Sequence, residues 1–248
     1  MKNFIKQSLI AFTLLFTVNA CKKESTNPAP TGTKSKLTGT VQLWDDKVDF
    51  NLDKSGVTVS IDGIPSTTTD ATGKYTFDNL TNDIYTITFS KSGYGTTKLV
   101  GINHSFNTSG TVIPNKSLGK ISTTKVDAFS YNNNSFNGAP GASFTYTLNP
   151  VPSVNNKGFV RYFLSKSASV SNTNYEAFTE VKSYSSNNIA GFSVDDLAAL
   201  GFQSGQTVYI KMYGDSFISN DYEDPNSGKR IFPNLNTTSP AAVSFVIP

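Results

Sequence analysis

The sequence predicts an all-β protein with two consecutive β-sandwich domains, and three observations carry that prediction. From Leu37 onward apolar and polar residues alternate with period two, turn signals recur at short intervals, and no long stretch shows the 3.6-residue period of a helix. Six or seven short strands fit within residues 37–118, which suits a small sandwich. Residues 119–248 carry longer strands joined by Asn- and Ser-rich loops, a change of texture that marks a second one.

The chain opens with a segment of different character. Lys2 and Lys6 precede an apolar run at 9–16 that is too short to span a bilayer, so residues 1–20 read as a signal peptide. Val18-Asn19-Ala20-Cys21 follows, with a small residue directly before the only cysteine. It resembles the lipobox of bacterial lipoproteins, relaxed at Asn19. The resemblance implies cleavage before Cys21, acylation there, and a membrane anchor of several acyl chains, which holds far better than one. Lys22 at the next position implies the outer membrane of a Gram-negative envelope. Residues 21–36, rich in Pro, Thr and Lys, read as a lipidated cysteine and flexible tether with a reach of roughly 20 Å.

Loss of residues 1–20 removes two lysines and no acid, so the net charge falls from +3 to +1. A nucleic-acid partner needs a concentrated basic face, and this balance argues against one.

In the first domain, Leu37, Val41 and Leu43 share a strand face. Val57, Val59 and Ile61 alternate with Thr58 and Ser60 before the turn Asp62-Gly63. Tyr75 and Phe77 follow Gly73, and Tyr85, Ile87 and Phe89 alternate with Thr86 and Thr88. Further strands are expected at 96–100 and 111–113. Asp70 and Gly73 supply a tight turn, and Gly93 lets the chain leave its strand before Tyr94.

The order Val57-Thr58-Val59, then Thr69-Asp70-Ala71-Thr72-Gly73-Lys74-Tyr75-Thr76-Phe77, then Ile84-Tyr85-Thr86-Ile87 and Gly93-Tyr94, resembles the carboxypeptidase regulatory-like domain. It covers most of residues 37–118 and departs at Asn82-Asp83, where a glycine is usual. The resemblance implies a seven-strand, prealbumin-like sandwich with no catalytic residues.

In the second domain, strands are expected at 121–129, 142–148, 159–165, 175–181, 208–214 and 243–247. A short helix at 194–200 has Ser193 as its cap, Asp195 and Asp196 in its first turn, and Gly201 at its end. The run Phe202-Gln203-Ser204-Gly205-Gln206-Thr207-Val208-Tyr209-Ile210-Lys211-Met212 resembles the E–F corner of fibronectin type III domains, without its corner tyrosine. Val208, Ile210 and Met212 are read as inward, because the opposite register buries Lys211. An immunoglobulin/fibronectin type III-like sandwich is the expectation, its subtype open.

The residues argue against an enzyme. With Cys21 acylated no thiol remains, and His104, the single histidine, has no nucleophile elbow beside it and is expected exposed in a loop. The glutamates are Glu24, Glu176, Glu180 and Glu223; Glu176 and Glu180 share a face and read as solvated. Asp49, Asn51 and Asp53 begin an EF-hand-like pattern, but Lys54 and Ser60 stand where glycine and the bidentate acid belong, so no metal is assigned. No cofactor is expected.

Aromatic residues in long polar loops point instead to binding. Tyr213, Phe217 and Tyr222 bracket the loop 214–230, and Tyr131 and Phe136 lie in a second, Asn-rich loop. Such rings stack on apolar faces of sugars while amides read hydroxyls, and they also suit protein contacts. The expectation is a non-catalytic envelope lipoprotein acting as a binding or adhesion module for a protein or polysaccharide, with a purely structural spacer as the alternative and a carboxylate-pair hydrolase as a distant one.

Overall fold

The computed structural model describes residues 33–51 and 53–248; residues 1–20, read as a signal peptide, with Cys21 and most of the segment read as a tether, lie outside the described residues. Residues 33–248 form one compact unit, built around separate hydrophobic clusters.

The first sandwich contains β1 (Ser35–Trp44), β2 (Thr58–Ile61), β3 (Ile64–Thr68), β4 (Lys74–Leu80), β5 (Asp83–Ser90), β6 (Thr97–His104), β7 (Thr111–Val112) and β8 (Lys116–Gly119). β1 pairs antiparallel with β4 on one edge and parallel with β7 and then β8 on the other. The facing sheet runs β3-β2-β5-β6. The inward residues given by the alternation, among them Leu37, Val41, Leu43, Val59, Tyr75, Ile87 and Phe89, are buried together. Each such side chain contributes ~1.5–3 kcal/mol.

The turn into β4 is held as its residues suggest. Asp70 Oδ1 accepts from the Thr72 and Lys74 amides at 2.8 and 3.0 Å, and Gly73 takes φ +85° where a Cβ would strike the Val41 carbonyl. Two expectations need correction. β1 starts at Ser35, inside the segment read as tether. His104 is buried at the end of β6, because that strand runs on to pair with Asp83. Its ring nitrogens lie 3.1 Å from Ser35 Oγ and 2.8 Å from Thr111 Oγ1, tying the two sheets together.

The second sandwich contains β9 (Lys125–Phe136), β10 (Ala139–Asn149), β11 (Gly158–Ser165), β12 (Ala177–Phe178), β13 (Lys182–Tyr184), β14 (Ile189–Ser193), α1 (Val194–Ala199), β15 (Thr207–Gly214), β16 (Tyr222–Glu223), β17 (Arg230–Ile231) and β18 (Val243–Val246). One sheet is β14-β10-β9. The other is β12-β11-β15-β18, with β13 also on β11. Val208, Ile210 and Met212 enter the core in the expected register. The helix is capped as expected: Asp196 N donates to Ser193 Oγ at 3.1 Å, and Ser193 N donates back to Asp196 Oδ2 at 2.9 Å.

Every residue of β11 is buried. Val160, Tyr162 and Leu164 face the main core, and Phe163 joins Val170, Tyr213, Phe232 and Leu235 in a cluster on the opposite face. Loops therefore cover a sheet face that would otherwise meet water.

The same loops build the join between the sandwiches. The Asn220 amide donates to the carbonyls of Gly95 at 2.7 Å and Gly119 at 3.2 Å, while its Oδ1 accepts from Gly119 N at 3.1 Å. The Asn234 amide donates to the carbonyls of Gly119 and Lys120, both at 2.8 Å. The Asp46 carboxylate accepts from the Thr123 amide at 2.8 Å, and Trp44, Phe217 and Phe159 make a short aromatic series. Glycine lets these backbones approach: a Cβ on Gly119 or Gly214 would fall within 2.3 Å of a carbonyl oxygen.

Candidate functional site

The strand β9 continues through most of the segment read as an Asn-rich loop and ends in a two-residue turn. Asn137 and Gly138 take φ 52° and 80°, the paired positive values of a type I′ hairpin, and Phe136 pairs with Ala139. The turn is the Asn-Gly that best satisfies this geometry. It places Phe136 at the rim of the β14-β10-β9 sheet, where its ring lies on Gly191: a Cβ there would come 2.3 Å from Phe136 Cδ2.

Phe136 and Ile189 stand in the common wall of two depressions. One, of about 380 Å³, is lined by the amides of Asn132, Asn133, Asn137 and Asn188 with Ser135 and Ser143. The side-chain amides of Asn137 and Asn188 have no hydrogen-bond partner among the described residues, so they are open to a ligand. The other, of about 590 Å³, has an aromatic floor of Tyr162, Phe178, Tyr184 and Phe192, with Glu180, Lys182 and Asp196 at its sides. Both volumes fall in the range of small-molecule and oligomer sites.

The tyrosines of this region stay neutral well above physiological pH. The hydroxyls of Tyr162 and Tyr184 lie 2.9 Å apart, and burial raises both above the usual phenol value. Burial, with Tyr184 alongside, pushes Tyr146 up to about 12. They can offer neutral hydroxyls and ring faces but no base.

Glu180 and Asp196 are the two carboxylates of the cleft. Asp196 is committed to the helix cap, and the Ser193 hydroxyl and amide hold its carboxyl below the ordinary range. A general acid needs the opposite shift.

The remaining residues singled out from the sequence do not converge on this cleft. Tyr213 is buried at 3% exposure, because it lies on the loop-covered face of β15, in edge contact with Phe163. It is a core residue and cannot serve as a surface ring. Phe217 is exposed at its edge but packs on Trp44 and Phe159 at the join. Tyr222 sits on the small β16-β17 hairpin under Lys98, so its loop is folded rather than open. Tyr131 stacks on Phe245 and packs against the main core, and its hydroxyl bonds Asn134. Of the five rings, Phe136 alone lines the cleft.

Cys21 lies outside the described residues. Asp53 Oδ1 accepts from Ser55 N at 2.9 Å, Asn51 donates its amide to the Tyr94 hydroxyl, and Asp49 N is held by Asp45. These groups shape a turn, and among the described residues no three His, Cys, Asp or Glu side chains converge as metal ligands. Glu176 leaves the expected strand, which shrinks to Ala177–Phe178, and accepts from Ser165 Oγ and Lys166 N at 3.0 and 2.8 Å.

A model of the carboxypeptidase regulatory-like domain matches residues 51–115, within the first sandwich. No curated protein matches the chain. Among solved structures the chain is similar to a type II cohesin–X-dockerin complex from Acetivibrio cellulolyticus, at 20% identity and TM-score 0.29 over 34% of this chain and 56% of that one. It thus spans just over half the length of that neighbour. It is also similar to a candidate carbohydrate-binding protein from Bacteroides uniformis, at 12% identity and TM-score 0.30 over 87% of this chain and 100% of that one. A DUF3823 family protein from Bacteroides ovatus is similar at 15% identity and TM-score 0.26, over the same shares. At these TM-scores no ligand or partner carries over to this chain.

Proposed function

We propose that the protein is a non-catalytic, lipid-anchored envelope protein that holds a saccharide chain in the cleft beside Phe136. The observation that carries the reading is the position of Phe136 between an aromatic cleft and an amide-lined depression with unpartnered Asn137 and Asn188. Pyranose rings present an apolar face for stacking and hydroxyls for amides, and this juxtaposition offers both at one edge of the sheet. The anchor at Cys21 and the outer-membrane location rest on the lipobox resemblance and on Lys22.

The test is affinity electrophoresis of the full chain through gels holding a panel of polysaccharides. Retardation by one polymer, weakened about tenfold by Phe136→Ala as one lost ring contact of ~1.4 kcal/mol requires, supports the reading. No retardation by any polymer contradicts it and moves the function to a protein partner. Acylation is checked separately, by mass increase at Cys21 and its loss in Cys21→Ser.

A further inference from the structure

The cleft does not end at Phe178. That ring also lines a third depression of about 340 Å³, which shares Thr173, Tyr175, Lys229 and Arg230 with a fourth of about 170 Å³. The four hollows thus form a series with common walls: Phe136 joins the first pair, Phe178 the second, and Tyr175 with the two cations the third.

Charge changes along this series. The first hollow is lined by amides and hydroxyls, and the central cleft mixes Lys182 with Glu180 and Asp196. At the far end Lys229 and Arg230 stand beside Tyr175, Ile231 and Phe232. The lining itself holds no carboxylate, but Asp221 pairs with Arg230 and Glu180 lies within its field, so among the described residues Lys229 carries the unpaired charge. Arg230 Nε donates to Asp221 at 2.7 Å, which orients the guanidinium; its terminal nitrogens have no partner among the described residues. Lys229 Nζ makes no ion pair or hydrogen bond among them. The Tyr175 hydroxyl donates to the Arg230 carbonyl at 3.2 Å and pins the hairpin to the facing loop.

Resting on the saccharide reading above, we propose that the ligand is an acidic polysaccharide of the polyuronate class, with its carboxylates bound at the Lys229–Arg230 end. A uronate joins in one residue the two features that this end receives: an apolar ring face for Tyr175 and Phe178, and a carboxylate for the free guanidinium nitrogens. Glu180 and Asp196 disfavour carboxylates in the central cleft, which leaves Lys229 and the terminal nitrogens of Arg230 as the groups that receive them.

The experiment measures retention of the full chain on polygalacturonate, alginate and hyaluronan, beside their carboxyl-reduced counterparts and a panel of neutral polysaccharides. Lys229→Gln and Arg230→Gln are compared with the unsubstituted chain, and thermal melting confirms that each variant is folded. Lys229 Nζ has no hydrogen bond or ion pair to lose among the described residues, so its variant keeps the test valid if Arg230→Gln disturbs the hairpin. The expected result is retention on at least one polyuronate, absent on its reduced form and weakened about tenfold in each variant, as loss of one charged hydrogen bond requires. Retention only on neutral polymers, insensitive to both variants but sensitive to Phe136→Ala, overturns the acidic ligand and leaves the saccharide reading standing. Equal displacement by polyglutamate overturns it in favour of an acidic peptide. No retention on any polymer removes both readings.

Discussion

The Asn220 side chain donates to the Gly95 carbonyl at 2.7 Å, joining positions 125 residues apart in the chain. With Asn234, it closes a buried set of hydrogen bonds around Gly119 that unites the two sandwiches. Buried carbonyls and amides without partners are costly, so one side chain here satisfies three backbone groups at once.

Asn220→Ala leaves the Gly95 carbonyl and the Gly119 amide without that partner. The expected loss is about 2–4 kcal/mol by denaturant unfolding, with faster proteolysis between residues 119 and 124. A variant as stable as the parent would show that the join does not depend on Asn220.

Arg161 and Asp215 form a fully buried ion pair at 2.8 Å. Arg161 also donates to the Thr179 carbonyl and Ser219 Oγ, and its guanidinium lies 4.8 Å from the Phe232 ring centre. Burial pushes the Asp215 carboxyl up, against the pull of Arg161. Arg161→Met strands that carboxyl and is expected to cost ~3–5 kcal/mol, whereas Arg161→Met with Asp215→Leu recovers part of the loss. The double-mutant cycle reads the difference; additive losses would mean that the two groups are not coupled.

Tyr146 supplies a pH signature. Its folded pKa is raised from 10.0 to about 12 by burial and the neighbouring Tyr184, so the folded state holds the phenol proton more tightly than the unfolded chain. Stability from this group is complete below pH 10 and is lost as pH rises through about 12. Tyr146→Phe, which also removes the bond to the Ser186 carbonyl, is expected to lower stability by ~1 kcal/mol at neutral pH and to flatten the alkaline decline in melting temperature. An unchanged alkaline slope would contradict it.

Much of the architecture is legible from alternation alone. The inward sets of β1, β2, β5 and β15 follow from period two because a one-residue slip would bury Lys211 or expose Val59. The Asn137-Gly138 hairpin is legible too, but a reader who weighs the asparagines as loop formers misses that the dipeptide marks a two-residue turn. The burial of Tyr213 is signalled less directly: from Phe159 to Leu164 β11 is apolar on both faces apart from Arg161, which implies a strand covered on both sides, and its partner β15 must then be covered as well. Asn220 and Asn234 have no local signature, since their side-chain amides donate to backbone carbonyls more than 100 residues away. Nor can His104 be placed without knowing that β6 ends against the start of β1. The aromatic cleft joins residues from β9, β11, β12, β13 and β14, and only the sheet order brings them to one edge.

The most direct test of the saccharide site is amide chemical-shift mapping with oligomers of whichever polysaccharide retards the chain. The account predicts perturbations concentrated at residues 132–143 and 178–192, reaching 172–175 and 228–232 for an acidic oligomer, with affinity lowered about tenfold by Phe136→Ala. Perturbations centred on Phe217 and Tyr222, or spread over the first sandwich, would contradict it.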